Sequence, residues 1–185
     1  MKLRKLAALG MSLCLGAALA ACGGSSGGSS SGGSSGGGAA ASGEKVVKIG
    51  VFEPQSGDNG AGGKQEVLGM QYANAKTPTV TVGDKTYEVK LEIADNESSN
   101  DKAVSAATQL VSAGSAVVLG SYGSGVSIAG SDTFGDAGIP VIGVTCTNPQ
   151  VTAGNEHYFR VCFLDPVQGT VLANFANDEL GATNA

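Results

Sequence analysis

From residue 45 onward, short apolar runs alternate with longer segments in which apolar residues recur every three or four positions. The short runs are dense in valine and isoleucine and are typical of buried strands. The longer segments have the spacing of helices that bury one face. Strands are predicted at 45–52, 79–82, 85–94, 116–120, 139–144 and 158–163, and helices at 64–76, 101–113, 126–137 and 165–180.

Turn residues mark the boundaries between these elements. Gly83 and Asp84 separate two alternating stretches and predict a hairpin. The polar turn 95–100 is expected to cap the helix that follows it, and Asp165 before Pro166 predicts an N-cap with proline at the first helical position. Because strands and helices alternate, we expect an α/β fold with a mostly parallel, doubly wound sheet. Helices should lie on both faces in a three-layer α/β/α arrangement.

The first 21 residues have the pattern of an export signal peptide. Lys2, Arg4 and Lys5 precede an apolar stretch, 6–20, that is too short and too rich in small residues to span a bilayer. The stretch leads into Leu-Ala-Ala-Cys ending at Cys22, which resembles the bacterial lipobox. That resemblance implies that Cys22 receives a diacylglyceryl group and becomes the new N-terminus. The alternative is an ordinary signal cleaved nearby, with Cys22 left as a free thiol.

Residues 22–43 are almost entirely glycine, serine and alanine after the cysteine. Such a segment cannot form a core and is expected to act as a flexible tether with a reach of about 25 Å. The remaining residues, 44–185, are enough for one folded domain. We therefore expect a lipid-anchored domain that stands off the extracytoplasmic face of the cell membrane.

The charge balance argues against a nucleic-acid partner. The chain has 16 acidic and 11 basic residues, and three of the basic residues lie in the leader. A phosphate backbone requires the opposite sign. Asp95, Glu97 and Asp101 are better explained as a turn and a helix start than as a metal cluster. We expect no metal and no cofactor.

Four cysteines are present, of which Cys14 lies in the leader and Cys22 is the expected lipid site. Cys146 and Cys162 follow successive predicted strands, and in an oxidising compartment a disulfide between them is expected. The competing interpretation is two free, partly buried thiols. Neither cysteine belongs to a Cys-x-x-Cys pair, so zinc binding has no support.

Three loops rich in glycine, serine and threonine follow Phe52, Leu119 and Val144. In a parallel sheet all three emerge at the edge formed by the carboxyl ends of the strands, where ligands bind in open α/β folds. The loop after Leu119 also leads into a helix, whose free N–H groups attract carboxylates or phosphates. The loops contain no His, Lys or Arg except Lys64 at the margin, and their hydroxyls and backbone donors suit a small zwitterion or carboxylate.

Two enzyme interpretations fit the sequence less well. Gly123-Ser124-Gly125 begins like a dinucleotide fingerprint, but Ile128 stands where the third glycine belongs. Ser127 lies in a loose nucleophile-elbow pattern but is misplaced for one, since it comes seven residues after Gly120 and within a predicted helix. The single histidine, His157, is expected in a polar loop and is more simply explained as solvated.

An ordered set of motifs identifies a known family. The motifs are Lys48–Val51, Ser56-Gly57, Ser121–Ser124, Ile139–Val141, Thr147–Pro149, Phe159-Arg160 and Asp165–Gly169. Together they resemble the type I solute-binding proteins of ABC transporters, in particular the leucine/isoleucine/valine-binding branch. The resemblance covers the chain from about residue 46 to its end.

The resemblance implies a set of ligand-binding residues. Ser124 is similar to the serine that holds the ligand α-carboxylate, and Thr147 to the threonine that contacts both the carboxylate and the ammonium group. Thr145 is similar to a position that offers its backbone carbonyl to the ammonium group. Tyr122 and Gly123 would line the same pocket.

The chain departs from the family pattern in two respects. Some members place an aromatic ring over the ligand near the position of Gly62, where this chain has only glycine. Family members also have two lobes that close on the ligand, and residues 44–185 correspond to the N-terminal lobe alone. We therefore expect an N-terminal fragment or a truncated gene product.

The resemblance implies a lipid-anchored receptor that captures amino acids of the branched-chain type and delivers them to an ABC permease. It does not imply an enzyme. The alternative is a member of the sensory branch, which binds amides or other small polar solutes and reports them to a partner protein. A surface hydrolase using Ser127 or Ser124 is a distant third possibility.

Overall fold

Six strands form one sheet in the computed structural model, which describes residues 45–184. The strands are β1 (Val46–Glu53), β2 (Thr79–Val82), β3 (Lys85–Asp95), β4 (Val117–Gly120), β5 (Val141–Gly143) and β6 (Tyr158–Arg160). They lie side by side in the order β2-β3-β1-β4-β5-β6. β2 and β3 form the expected antiparallel hairpin, and the other pairings are parallel.

Four α-helices occur within the described residues. They are α1 (Gly60–Lys76), α2 (Asn100–Ser112), α3 (Ser124–Asp136) and α4 (Asp165–Asn174). The mostly parallel sheet with helices on both faces confirms the predicted α/β class. Across residues 45–184, no helix has the length and apolar character needed to cross a bilayer.

The main core lies between the sheet and the helices α2 and α3. Phe52 near the end of β1 is fully buried and meets Phe134 of α3 edge to face, with ring centroids 5.4 Å apart. Gly130 lets α3 approach closely, because a Cβ atom there would lie 2.8 Å from the Phe52 ring. Leu110 of α2 packs beside Gly50 in the same layer. Burial of each large side chain contributes about 2–3 kcal/mol, so this layer holds β1 and β4 in place.

The opposite face of the sheet is covered by α1. Val67 is buried there, while Leu68 and Tyr72 of the same helix are more than 60% exposed. A cavity of about 630 Å³ lies between α1 and the apolar residues that face it, which include Ile49 and Leu91. This helix therefore packs against the sheet mainly through its first turns.

Two helices begin earlier than the sequence predicted. α1 begins at Gly60 instead of residue 64, because its glycines allow the first turn to lie against Pro54, where a Cβ on Gly63 would collide with that ring. α3 begins at Ser124 instead of residue 126. At the start of α1, glycines that suggest a loop are required by close packing of the helix start.

The C-terminal elements are shorter than predicted. β5 and β6 have three residues each. Asp165 is the first residue of α4 and not its N-cap, which is Leu164. The helix ends at Asn174 and continues as a π-helical turn, Phe175–Glu179. None of the α4 side chains is buried within the described residues.

The expected disulfide is not formed, since Cys146 and Cys162 are free thiols in the structure. Both cysteines lie in loops, which follow the adjacent strands β5 and β6, and no bond joins them. Cys146 is fully buried beside Gly143, and its thiol is hydrogen-bonded to Ser127. Burial, followed by the neighbouring Cys162, raises the pKa of the Cys146 thiol to about 11. Cys146 is therefore an inert core residue at neutral pH. The expected lipid site, Cys22, and the segments 1–21 and 22–43 lie outside the described residues.

Candidate functional site

The three loops expected to form the site do lie at one edge of the sheet. They follow β1, β4 and β5, which run parallel in adjacent positions. A fourth loop, after β3, joins them at the same edge. The edge is built from the carboxyl ends of four strands, which is where open α/β folds bind small molecules.

The loop after β4 is held by buried hydrogen bonds. Gly120 has a φ of 121°, and a Cβ atom there would overlap the Phe52 carbonyl, so only glycine fits. The Tyr158 hydroxyl donates to the Gly120 carbonyl at 3.0 Å. Asn96, which is fully buried, donates to the Ser121 hydroxyl at 3.0 Å and to the Phe52 carbonyl at 3.3 Å. The end of β4 and the loop after it are consequently fixed to β1, to β6 and to the loop after β3.

Ser124 and the segment after Cys146 lie together at the start of α3. Ser124 is the first residue of this helix, after Gly123 at the N-cap. Its hydroxyl accepts a hydrogen bond from the Asn148 N–H at 3.2 Å. Thr147 is half-buried, and its carbonyl accepts from the Asp165 N–H at 3.1 Å. This arrangement joins two hydroxyl-bearing residues to helical N–H groups that have no acceptor within the helix, which suits a carboxylate.

Tyr122 occupies the space that a side chain at position 62 would need. A Cβ atom on Gly62 would lie 2.6 Å from the Tyr122 ring. Tyr122 is 38% exposed, so part of the residue is accessible to solvent. The aromatic group next to position 62 is therefore Tyr122, from the loop after β4, and not a residue of the first loop. Its ring leaves no room for a side chain at position 62, which explains the glycine there.

Thr145 is connected to α1 by its side chain. Its hydroxyl donates to Glu66 Oε1 at 2.6 Å. The Tyr122 N–H makes a similar contact with a second acid, donating to Glu53 Oε2 at 2.8 Å. Burial, followed by the adjacent Glu66, raises the pKa of the Glu53 carboxyl to about 10, and the Tyr122 N–H opposes this shift. Sequence reasoning missed both acids.

Arg160 of β6 holds the segment that carries Thr145 and Thr147. One guanidinium nitrogen donates to the carbonyls of Cys146 at 3.0 Å and Asn148 at 2.8 Å. The other donates to the Pro149 carbonyl at 3.1 Å and to the Thr152 hydroxyl at 2.6 Å. The planar fork of arginine reaches all four acceptors. Arg160 therefore fixes the conformation of this loop.

Asp95 connects the loop after β1 to the loop after β3. Its carboxylate accepts from the Gln55 N–H at 2.8 Å, the Ser56 hydroxyl at 2.7 Å and the Glu97 N–H at 2.8 Å. Burial acts to raise the pKa of Asp95, but the hydrogen bonds from Gln55, Ser56 and Glu97 outweigh it and lower the pKa. This confirms a turn role for Asp95. The expected side-chain cap of α2 is absent, since Ser99 at the N-cap makes no such bond.

Replacing Asp95 with alanine should lower the free energy of unfolding by about 1 kcal/mol at pH 7, a modest value because the carboxylate is largely exposed. Its lowered pKa stabilises the fold above pH 3.8, the ordinary value, and this contribution is lost as the pH falls through the folded value. Urea unfolding at pH 7 and at about pH 2.5 should show the larger difference at pH 7. Asp95→Asn, which keeps one acceptor oxygen, should have a smaller effect. An equal loss at both pH values would contradict this role.

Ser127 and His157 do not come together as a hydrolase would require. Ser127 is fully buried, and its hydroxyl donates to the Gly123 carbonyl at 2.9 Å while accepting from the Ser121 N–H at 3.4 Å. His157 directly precedes β6 and so lies at the opposite edge of the parallel sheet. A buried hydroxyl without an adjacent base cannot act as a nucleophile. The described residues also contain no group of three or more His, Cys, Asp or Glu side chains able to hold a metal ion.

Comparisons with known proteins agree on one family. The family described as periplasmic binding protein matches residues 46–185. A Leu/Ile/Val-binding protein homolog of Brucella melitensis is 34% identical over 130 residues, which are 70% of this chain and 35% of the relative.

Solved structures give the same result. A leucine-binding protein of Thermotoga maritima superimposes with a TM-score of 0.68 at 34% identity, covering 74% of this chain and 38% of that protein. A branched-chain amino acid transporter substrate-binding protein of Streptococcus pneumoniae, in complex with isoleucine, gives a TM-score of 0.67 at 28% identity, covering 75% and 40%. The chain therefore spans well under half the length of the relatives it matches.

Proposed function

The chain belongs to the type I periplasmic binding protein family, in the branch of the leucine/isoleucine/valine-binding proteins, and from this premise we propose that it captures an amino acid outside the cell for delivery to an ABC permease. The preferred ligand in this proposal is an amino acid with a branched aliphatic side chain. Ser124, Thr147, Thr145, Tyr122 and Gly123 are the proposed ligand-binding residues.

The observation that carries this proposal is the contact between the Ser124 hydroxyl and the Asn148 N–H at the start of α3. It supports a site in which Ser124, Thr147 and the first N–H groups of the helix surround an α-carboxylate. The Thr145 carbonyl would accept from the α-ammonium group. The exposed part of the Tyr122 ring suits contact with an apolar ligand side chain.

The affinity of this chain by itself should be weak. A charge-assisted hydrogen bond that stays open to water contributes about 1.5–3 kcal/mol, while association costs several kcal/mol. We propose that a second lobe, present in the longer relatives, excludes water from the site and supplies the remaining contacts to the ligand. The chain alone should then bind an amino acid with a Kd of about 1 mM, which corresponds to roughly −4 kcal/mol.

A thermal-shift screen of the twenty amino acids and small amides tests this proposal. At a concentration about ten times Kd, a ligand stabilises the folded protein by about 1.4 kcal/mol, which raises Tm by roughly 4 °C. We expect leucine, isoleucine and valine to give the largest shifts. A response to amides without a response to these amino acids would favour a sensory protein and contradict amino-acid transport.

We also propose that Cys22 is lipidated and anchors the protein to the extracytoplasmic face of the membrane. The Leu-Ala-Ala-Cys sequence after a short apolar stretch supports this. Cys22→Ser should move the protein from the membrane fraction to the soluble extracellular fraction, as measured by immunoblotting after fractionation. Cys14→Ser, within the leader, is the matched control and should leave the anchor intact. Retention of the Cys22→Ser variant in the membrane would reject lipid anchoring.

A further inference from the structure

Two acidic side chains lie directly beneath the candidate site. Glu53, the last residue of β1, is fully buried, and its Oε2 atom accepts from the Tyr122 N–H at 2.8 Å. Glu66 projects from α1, and its Oε1 atom accepts from the Thr145 hydroxyl at 2.6 Å. Each acid thus contacts one of the loops that carry proposed ligand-binding residues.

The remaining oxygen of each acid is also buried. Glu53 Oε1 and Glu66 Oε2 have no N–H or hydroxyl donor within the described residues. The side chain next to Glu53 is Glu66, which raises the pKa of the Glu53 carboxyl through a side-chain hydrogen bond and through charge repulsion. Ionised carboxylates can only accept hydrogen bonds, so this contact requires a proton on one of the two acids. Two buried negative charges side by side would also be strongly unfavourable.

Within residues 45–184, no cation is among the groups that act on the Glu53 carboxyl. The groups that act on its carboxyl are Glu66 from α1, the Tyr122 N–H and Tyr158 of β6. Cys146 lies next to Tyr158. Burial raises the pKa values of the Tyr158 hydroxyl and the Cys146 thiol, so both stay neutral at physiological pH. The proton shared by the acids is therefore the main means of neutralising the cluster.

We propose that Glu53 and Glu66 share one proton and form a carboxyl bridge that positions Tyr122 and Thr145 at the ligand-binding edge. The bridge runs from the Tyr122 N–H through Glu53 and Glu66 to the Thr145 hydroxyl, and so joins β1, α1 and the loops after β4 and β5. Its positioning role rests on the proposed function, whereas the bridge itself does not. Both acids act through other residues and are not proposed to contact the ligand.

The bridge predicts a definite dependence of stability on pH. The pKa of Glu53 rises from an ordinary value of 4.5 to about 10 in the folded protein. Between these values the folded protein retains a proton that the unfolded chain releases. The contribution of the pair to stability is therefore greatest below pH 4.5 and falls as the pH rises towards 10.

Glu53→Gln tests this dependence in the full chain. The glutamine oxygen can accept from the Tyr122 N–H while its amide group donates to Glu66, which reproduces the protonated acid without a titrating proton. The Tm of the wild type should fall as the pH rises from 6 to 9. The variant should be nearly flat over this range and melt about 5 °C above the wild type at pH 9. Glu88→Gln, at an exposed position on β3, should retain the wild-type slope.

Two further measurements separate positioning from general stability. The carboxyl carbon of Glu53 should have the NMR shift of a protonated acid at pH 7. The Tyr122 amide should exchange at least tenfold faster with solvent in Glu53→Ala than in Glu53→Gln, while core amides such as Val118 remain protected in both variants. Equal exchange at Tyr122 in the two variants, or a pH slope unchanged by Glu53→Gln, would overturn the proposal. A further outcome is that the pH slope of Tm and the exchange of the Tyr122 amide are as expected while leucine binds neither the wild type nor the variants. In that case the carboxyl bridge stands and the transport function is rejected.

Discussion

Replacing Ser124 and Thr147 together with alanine is expected to abolish amino-acid binding by a form of the protein extended with the proposed second lobe. The double variant removes two hydroxyls that we propose contact the charged groups of the ligand. At about 1.5–3 kcal/mol for each charge-assisted bond, the loss corresponds to a factor of roughly 10² to 10⁴ in Kd. Isothermal titration with leucine measures it directly.

A matched double variant controls for the loss of hydroxyl groups in general. Ser105 on α2 and Thr86 on the hairpin are exposed and lie away from the ligand-binding edge. Ser105→Ala with Thr86→Ala should leave the leucine affinity unchanged. If the Ser124 and Thr147 variant bound leucine within threefold of the wild type, the proposed carboxylate site would be wrong.

Arg160→Ala is expected to lower the free energy of unfolding by about 3 kcal/mol and to weaken leucine binding. The change removes four hydrogen bonds and leaves three carbonyls without their charged donor. The hydrogen bonds from Arg160 hold the segment between Thr145 and Thr152. Loss of these bonds should therefore also disorder Thr145 and Thr147 of the proposed site. Urea unfolding and leucine titration measure the two effects.

Arg160→Lys distinguishes geometry from charge. Lysine keeps the positive charge but has a single donor nitrogen, so it cannot reach both sides of the loop at once. We expect it to recover less than half of the lost stability. A lysine variant as stable as the wild type would show that the forked geometry of arginine is not needed.

The fold class could be predicted from the sequence because it depends on local patterns. Alternation in the hairpin and three- to four-residue spacing in α2 both arise from which side chains face the core. Boundaries were less accurate where tertiary packing decides the local structure. The glycines at the start of α1 favour a loop in isolation, but they form a helix because only small residues fit against Pro54.

The interactions that connect the site could not be predicted in the same way. Glu53 and the Tyr122 N–H are 69 residues apart in the chain, and Glu66 and Thr145 are 79 residues apart. No local periodicity encodes such pairs. The available signal for Glu53 was its position at the end of a buried strand, since an acidic side chain is rarely buried without a partner. Cys146 and Cys162 show the converse error, in which sequence order suggested a bond that is absent from the structure.

Titration of the isotopically labelled chain with leucine, followed by amide NMR, tests the central claim most directly. The claim is that these residues contain the polar half of an amino-acid site at the carboxyl edge of the sheet. We predict progressive shifts at Ser124, Asn148 and Tyr122 with half-saturation at about 1 mM. Shifts confined to residues around the cavity beneath α1, such as Met70 and Leu91, or micromolar binding by this chain alone, would contradict it.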